Sequence, residues 1–222
     1  MRSLHRAGRD PDRGGAPLPM PFRSFDQYDF VLRRGELTMV AAPPGAGKST
    51  IALAFAMKMR VPTYYFSLDS GEKTQKARML AMVTGLTVKQ CAINLELDPH
   101  TSNTLLAEHA SHIKWDFDAQ SMWDVEEELN VYQEVMGSAP WLIVLDNATD
   151  ISYESGDEYS SLRALMRDLK QWARDQNAAL LVLHHTSEGF EGNPCPPLRS
   201  VHGKVNQKPA NVLTIGEPVN GL

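Results

Sequence analysis

The stretch from Leu37 to Met59 reads LTMVAAPPGAGKSTIALAFAMKM, an apolar run, a Pro/Gly turn and an apolar helical segment in succession. Leu37, Met39, Val40 and Ala41 suit a buried strand. The strand is expected to run through Ala42; Pro43, Pro44, Gly45, Ala46 and Gly47 form the turn, and Lys48, Ser49 and Thr50 open a helix over about 48–60. Strand, glycine loop and helix in this order is the layout of a P-loop. The backbone N–H groups of such a loop form a nest for phosphate oxygens, and the helix adds its positive end. Lys48 is expected to reach the β- and γ-phosphates, with the Ser49 hydroxyl on Mg²⁺. Gly45 and Gly47 supply backbone conformations that other residues resist. The pattern asks for glycine at position 42, where this chain has Ala42.

The chain has 222 residues, 42% of them hydrophobic, enough for one sizeable core. No apolar run approaches the ~20 residues that span a membrane. The Arg-rich start lacks the apolar segment of a secretory signal. Cys91 and Cys195 have no ligand-like spacing, and two free thiols in a reducing cytoplasm are expected. Net charge is −5, but unevenly spread. Residues 1–23 carry five Arg against two Asp, whereas Asp116 to Glu158 holds twelve acidic residues and no Lys or Arg. That acidic run reads as a solvated helix face and loop, and any polyanion must bind elsewhere.

Residues 1–21 read as a flexible basic tail, and residues 22–222 as one domain. Phe22, Phe25, Tyr28, Phe30 and Leu32 are expected to pack on the domain edge. Further strands are expected at Thr63–Leu68 (TYYFSL), Ile113–Ala119 (IKWDFDA), Trp141–Leu145 (WLIVL), Ala178–Leu183 (AALLVL) and Asn211–Ile215 (NVLTI). Helices are expected at about 72–84, closed by Gly85, and at 87–95, 102–112 and 157–176. Ser121-x-x-Asp124 is a capping-box signature opening another, to about Val135. Leu162, Leu165, Leu169, Trp172 and Ala173 fall on one helical face. Apolar strands alternating with helices predict an α/β fold, a mostly parallel sheet with helices on both faces.

Three strand ends carry candidate chemistry. WLIVL ends in Asp146, which suits a second metal ligand or a turn cap. TYYFSL ends in Asp69, which suits a base for the attacking water or an Asx-turn residue. Its strand is expected beside the P-loop strand. AALLVL ends in His184 and His185, where one ring could bond the γ-phosphate, or both could bond backbone.

These residues together resemble the RecA-like ATPase domain of DnaB-type replicative helicases, especially short phage-type versions without the N-terminal domain. The resemblance covers roughly residues 22–215. Its more specific part is Phe66-Ser67-Leu68-Asp69 followed by Arg78-Met79-Leu80-Ala81. The family has Phe-Ser-Leu-Glu and Arg-x-Leu-Ala there, the Glu being the catalytic base, so Asp69 is a departure. Leu142 to Asp146 resembles the family's Walker B strand. Leu183-His184-His185 stands where many members have Leu-Ser-Gln, which puts His185 in the phosphate-sensor place, as in RepA-type plasmid helicases. Gly203-Lys204-Val205-Asn206-Gln207 resembles the family's Gly-x-Ile-Glu-Gln. The loop from Thr186 to Ser200 matches the family's channel-facing loop, and with Lys204 beyond it offers Arg199 as DNA-contacting charge.

The resemblance implies an ATP-dependent helicase using ATP and Mg²⁺, with Lys48, Asp69, Asp146 and His185 catalytic. It implies a homo-hexamer on single-stranded DNA, a loader or primase as partner, and a cytoplasmic setting, the host's if phage-encoded. The family's Lys-x-Arg finger strand is not found before Leu222. The alternative is a RecA-like ATP-binding regulator or assembly factor that does not unwind DNA. A small-molecule kinase would carry more Arg in the 186–203 loop. A GTPase would carry a Lys that Asn147-Ala148-Thr149-Asp150 lacks.

Overall fold

A computed structural model describes residues 15–152, 158–187, 189, 192–205 and 208–216. Six strands form one sheet: β1 (Leu37–Ala42), β2 (Thr63–Ser67), β3 (Ile113–Asp116), β4 (Leu142–Asp146), β5 (Ala179–His185) and β6 (Asn211–Thr214). Their order is β3-β2-β4-β5-β1-β6, and every pairing is parallel. The helices are α1 (Lys48–Met59), α2 (Glu72–Thr84), α3 (Val88–Leu97), α4 (Pro99–Ala110), α5 (Met122–Met136) and α6 (Glu158–Gln176).

β1, β2 and β4 are buried at every position, because their side chains meet helices on both faces. One face packs Ile143, Leu145, Leu180 and Val182 against Val125 and Leu129 of α5 and Leu165, Leu169 and Trp172 of α6. The other packs Val40, Val144 and Leu181 against Leu53 and Phe55 of α1, Met79 and Leu80 of α2, and Leu106 of α4. The expected stripe Leu162, Leu165, Leu169, Trp172 and Ala173 is buried throughout.

Local chemistry sets the element ends. Arg60 in the left-handed region (φ 51°) stops α1, and Gly85 (φ 75°) stops α2. Thr87 and Gln90 form a capping box on α3, as Ser121 and Asp124 do on α5. α4 starts three residues earlier than the sequence suggests. The Asp98 side chain accepts the Thr101 amide, and Pro99 occupies the first helical position. β3 is shorter than expected because the Asp116 carboxylate accepts the amides of Asp118 and Ala119, which turns the chain out of the sheet.

Three expectations are corrected. β2 does not lie beside β1, because β4 and β5 stand between them. The stretch read as a tail is already docked at Leu18, which is buried with its amide bonded to Leu32 O at 2.8 Å. Residues 1–14 lie outside the described residues. Tyr28 is 74% exposed, whereas Phe22, Phe25 and Phe30 do pack on the domain. Phe22 and Phe25 lie with ring centroids 5.7 and 5.8 Å from the fully buried Phe55 of α1. Among the described residues, no helix is long and apolar enough to cross a membrane.

Phe55→Ala should lower the unfolding free energy by ~3–5 kcal/mol, the usual cost of an aromatic cavity. Tyr28→Ala should stay within about 0.5 kcal/mol of wild type. Urea unfolding of the two variants measures both.

Candidate functional site

All six strands run the same way, so their C-terminal ends share one edge, where ligands of open α/β sheets bind. β1 leaves that edge through the glycine loop. Ala42 is still strand, fully buried and paired in register with His185. Its φ is not positive, so alanine replaces the expected glycine there without backbone strain. Gly45 (φ 78°) and Gly47 (φ 98°) do need glycine, and Gly47 caps α1.

Lys48 is buried at the first position of α1 and folds back over the loop. Its Nζ donates to Ala42 O at 3.2 Å and Pro43 O at 3.4 Å, and lies 3.2 Å from His185 Nδ1. Burial draws the ammonium below its ordinary pKa, while Asp146 and Asp69 pull it back up. An ammonium has no lone pair, so His185 Nδ1 accepts and the neutral ring carries its proton on Nε2. Burial, then Lys48, holds the His185 pKa down, with Asp69 opposing.

Asp146 ends β4, and the peptide to Asn147 is cis. Ser49 Oγ donates to its Oδ1 at 3.1 Å, and Tyr65 OH to its Oδ2 at 2.9 Å. Burial pushes this carboxyl upward, and the Ser49 and Tyr65 bonds restrain it. Hydroxyl and carboxylate oxygens are the hard donors that suit Mg²⁺, which takes one or two carboxylates and completes its shell with phosphates and water.

Asp69 stands one residue beyond Leu68 at the β2 tip, exposed. The amides of Leu68 and Asp69 both donate to Asp146 O, at 2.6 and 3.2 Å. That hook brings Asp69 within electrostatic reach of Lys48, Asp146 and His185, although β2 is not adjacent to β1. Lys48, Ser49, Asp69, Asp146 and His185 are thus brought together.

His184 points the other way, with Nε2 3.1 Å from His202 O. Burial lowers its pKa to about 4. The Asn147 side chain donates to Thr149 Oγ1 at 2.7 Å, an internal bond of the turn after β4. Arg199 is exposed, on the turn Leu198–Ser200. Lys204 closes the turn His202–Lys204, its side chain outside the described residues, as are Asn206 and Gln207. Ser187 N donates to Ser200 O at 2.7 Å, closing the base of the 186–200 loop.

Residues 26–189 match the AAA domain family. The chain belongs to that family. This AAA domain is 32% identical over 213 residues to the gene 65 protein of Mycobacterium phage L5, covering 94% of this chain and 80% of that one. It is also 32% identical to the gene 65 protein of Mycobacterium phage D29, over 84% of this chain and 82% of that one. A 79-residue segment is 35% identical to the replicative DNA helicase DnaB of Leifsonia xyli subsp. xyli, covering 34% of this chain and 17% of the helicase. A DnaB-like replicative helicase, solved with its interactions with primase, superposes with a TM-score of 0.74 at 15% identity. The match covers 94% of this chain and 54% of that one, so the AAA domain spans about half its length. A second solved structure, itself an ATPase domain, superposes with a TM-score of 0.72 at 17% identity, over 95% of this chain and 80% of that one. The fold of the AAA domain is therefore the RecA-like fold of DnaB-like ATPase domains.

Tyr65 and Gln75 carry no functional signal in the sequence, and Arg78 stands out there only within Arg78-Met79-Leu80-Ala81. Tyr65 sits in an apolar strand, where an aromatic reads as core. Only the register Ser67↔Asp146 reveals that its hydroxyl faces the acid on the next strand.

Tyr65→Phe removes a buried donor from a carboxylate and should cost ~1.5–3 kcal/mol of stability, read by urea unfolding at pH 7. His184 sets a pH dependence. Its folded pKa is about 4, below the ordinary 6.5, so the native state binds fewer protons than the unfolded one. Its stability is complete above pH 6.5 and lost as pH falls through 4. From pH 7 to pH 4, wild type should lose about 3 kcal/mol more than His184→Gln, measured by urea unfolding at both pH values.

Proposed function

We propose that this AAA domain binds and hydrolyses Mg-ATP. The observation that carries the reading is the convergence of Lys48, the Ser49–Asp146 pair, Asp69 and His185 at one end of a parallel sheet. The Ala42 to Thr50 loop cradles the phosphates through the backbone N–H groups that follow Pro44 and the start of α1. The Lys48 ammonium turns from the loop carbonyls to the β- and γ-phosphate oxygens. Mg²⁺, held by Ser49 and Asp146, would neutralise charge on those oxygens. The Asp69 carboxylate orients the attacking water and accepts its proton. His185 donates from Nε2 to the γ-phosphate.

We further propose that the cycle drives translocation on single-stranded DNA, as a DnaB-like helicase acting in replication. The DnaB-like fold and the 79-residue segment shared with a DnaB helicase support this. In this reading the chain works as a homo-hexamer with a primase or loader partner. Arg199 and Lys204 supply charge to the strand, and backbone and polar groups of the loop supply the remaining contacts.

The acidic stretch from Asp116 to Glu158 favours a second reading, a nucleotide-switched regulator that does not unwind DNA. A strand-displacement assay separates the two.

ATP turnover should depend on Mg²⁺ and rise with single-stranded DNA. Lys48→Ala should reduce it at least ~100-fold. Asp69→Asn should lower kcat with little change in KM. Steady-state assays with and without EDTA check these outcomes, and absence of Lys48-dependent turnover overturns the ATPase reading.

A further inference from the structure

The tip that carries Asp69 is held from two sides. On the sheet side, the Leu68 and Asp69 amides converge on Asp146 O. On the helix side, Ser67 and Ser70 bracket the acid. Ser67 Oγ donates to Ser70 O at 2.5 Å. Gln75 Nε2, from α2, donates to Ser67 Oγ at 2.8 Å. Arg78 Nη1, one turn further along α2, donates to Ser70 Oγ at 3.3 Å. A hydroxyl has one proton, and Ser67 gives it to Ser70, so Gln75 must present its NH₂ group and not its oxygen.

Gln75 is a poor residue for stability at this place. It is 1% exposed on a helix whose other buried members are Ala77, Met79 and Leu80. Its Oε1 has no hydrogen-bond partner among the described residues. A buried amide with one orphaned end is worse than an apolar side chain of the same shape. Such a group calls for a reason other than folding. Arg78 is half-buried, and its charge reaches Asp146 and Tyr65.

We infer that Gln75 and Arg78 are positioning residues that hold Asp69 in its working place, through Ser67 and Ser70. The inference rests on the ATPase reading above and names how its base is kept in line. Asp69 is exposed and its side chain makes no hydrogen bond among the described residues, so its direction is set by the backbone of the 67–70 turn. A displacement of about 1 Å at a reacting group can cost ~100-fold in rate. A brace that acts on that turn therefore acts on kcat.

The test compares Gln75→Met and Arg78→Lys with wild type in the full chain. Gln75→Met should unfold at the same or higher urea concentration. It should bind a fluorescent ATP analogue as wild type does, and lose roughly 10- to 100-fold in kcat with KM nearly unchanged. Arg78→Lys should show a smaller loss of the same kind. In the Asp69→Asn background, Gln75→Met should cost little more, since the two act as one unit. Full kcat in Gln75→Met, or a loss that simply multiplies with that of Asp69→Asn, overturns the inference.

If wild type shows no Lys48-dependent turnover, the ATPase reading fails on its own. The brace is then judged by the NMR signal of the Asp69 side-chain carboxyl carbon. A changed shift in Gln75→Met supports it, and an unchanged one overturns it.

Discussion

A buried ammonium must find acceptors, and the site is assembled around the way Lys48 finds them. Desolvating a cation costs several kcal/mol unless hydrogen bonds replace the lost water. Lys48 recovers them from the last carbonyl of β1, the next carbonyl in the loop and the ring of His185. The third partner is far away in sequence. It arrives because β5 pairs with β1 in parallel, with His185 opposite Ala42. Slipping the register by one residue would turn His185 to the other face of the sheet and His184 toward the lysine. The pairing of two apolar strands thus decides which histidine meets the loop.

The carboxylates obey a related constraint. Asp146 is buried and carries bonds from Ser49 and Tyr65 on its two oxygens. One bond ties it to α1 and the other to β2. The backbone carbonyl of the same residue receives two amides from the β2 tip. Asp146 therefore joins three segments with its side chain and main chain together. This is how Asp69 comes close to Lys48 across two intervening strands.

Much of the architecture was legible because it is local. The buried strands are continuous apolar runs, and their limits are marked by Gly, Pro and Asp. The α2 boundaries follow from Gly71 and Gly85, and the α5 start from the Ser121–Asp124 box. Misjudged features were local ones hidden by stronger patterns. Asp98-Pro99 is a good helix start that the apolar periodicity further on concealed. Asp116 reads as the polar position of an alternating strand, yet its carboxylate ends that strand. Leu18 stands in a Pro- and Arg-rich stretch that reads as tail, and only its bond to Leu32 shows it belongs to the domain.

By itself the sequence determined the phosphate loop, the acids and histidines at strand ends, and the alternation that makes a parallel sheet. These follow from periodicity, turn chemistry and residue type, which act over a few neighbours. Strand order, the choice between His184 and His185, and the roles of Tyr65, Gln75 and Arg78 were decided only by the tertiary structure. Each depends on which side chain faces which across the sheet or between helix and strand tip. That is set by register and packing among segments far apart in the chain, and no local pattern encodes it.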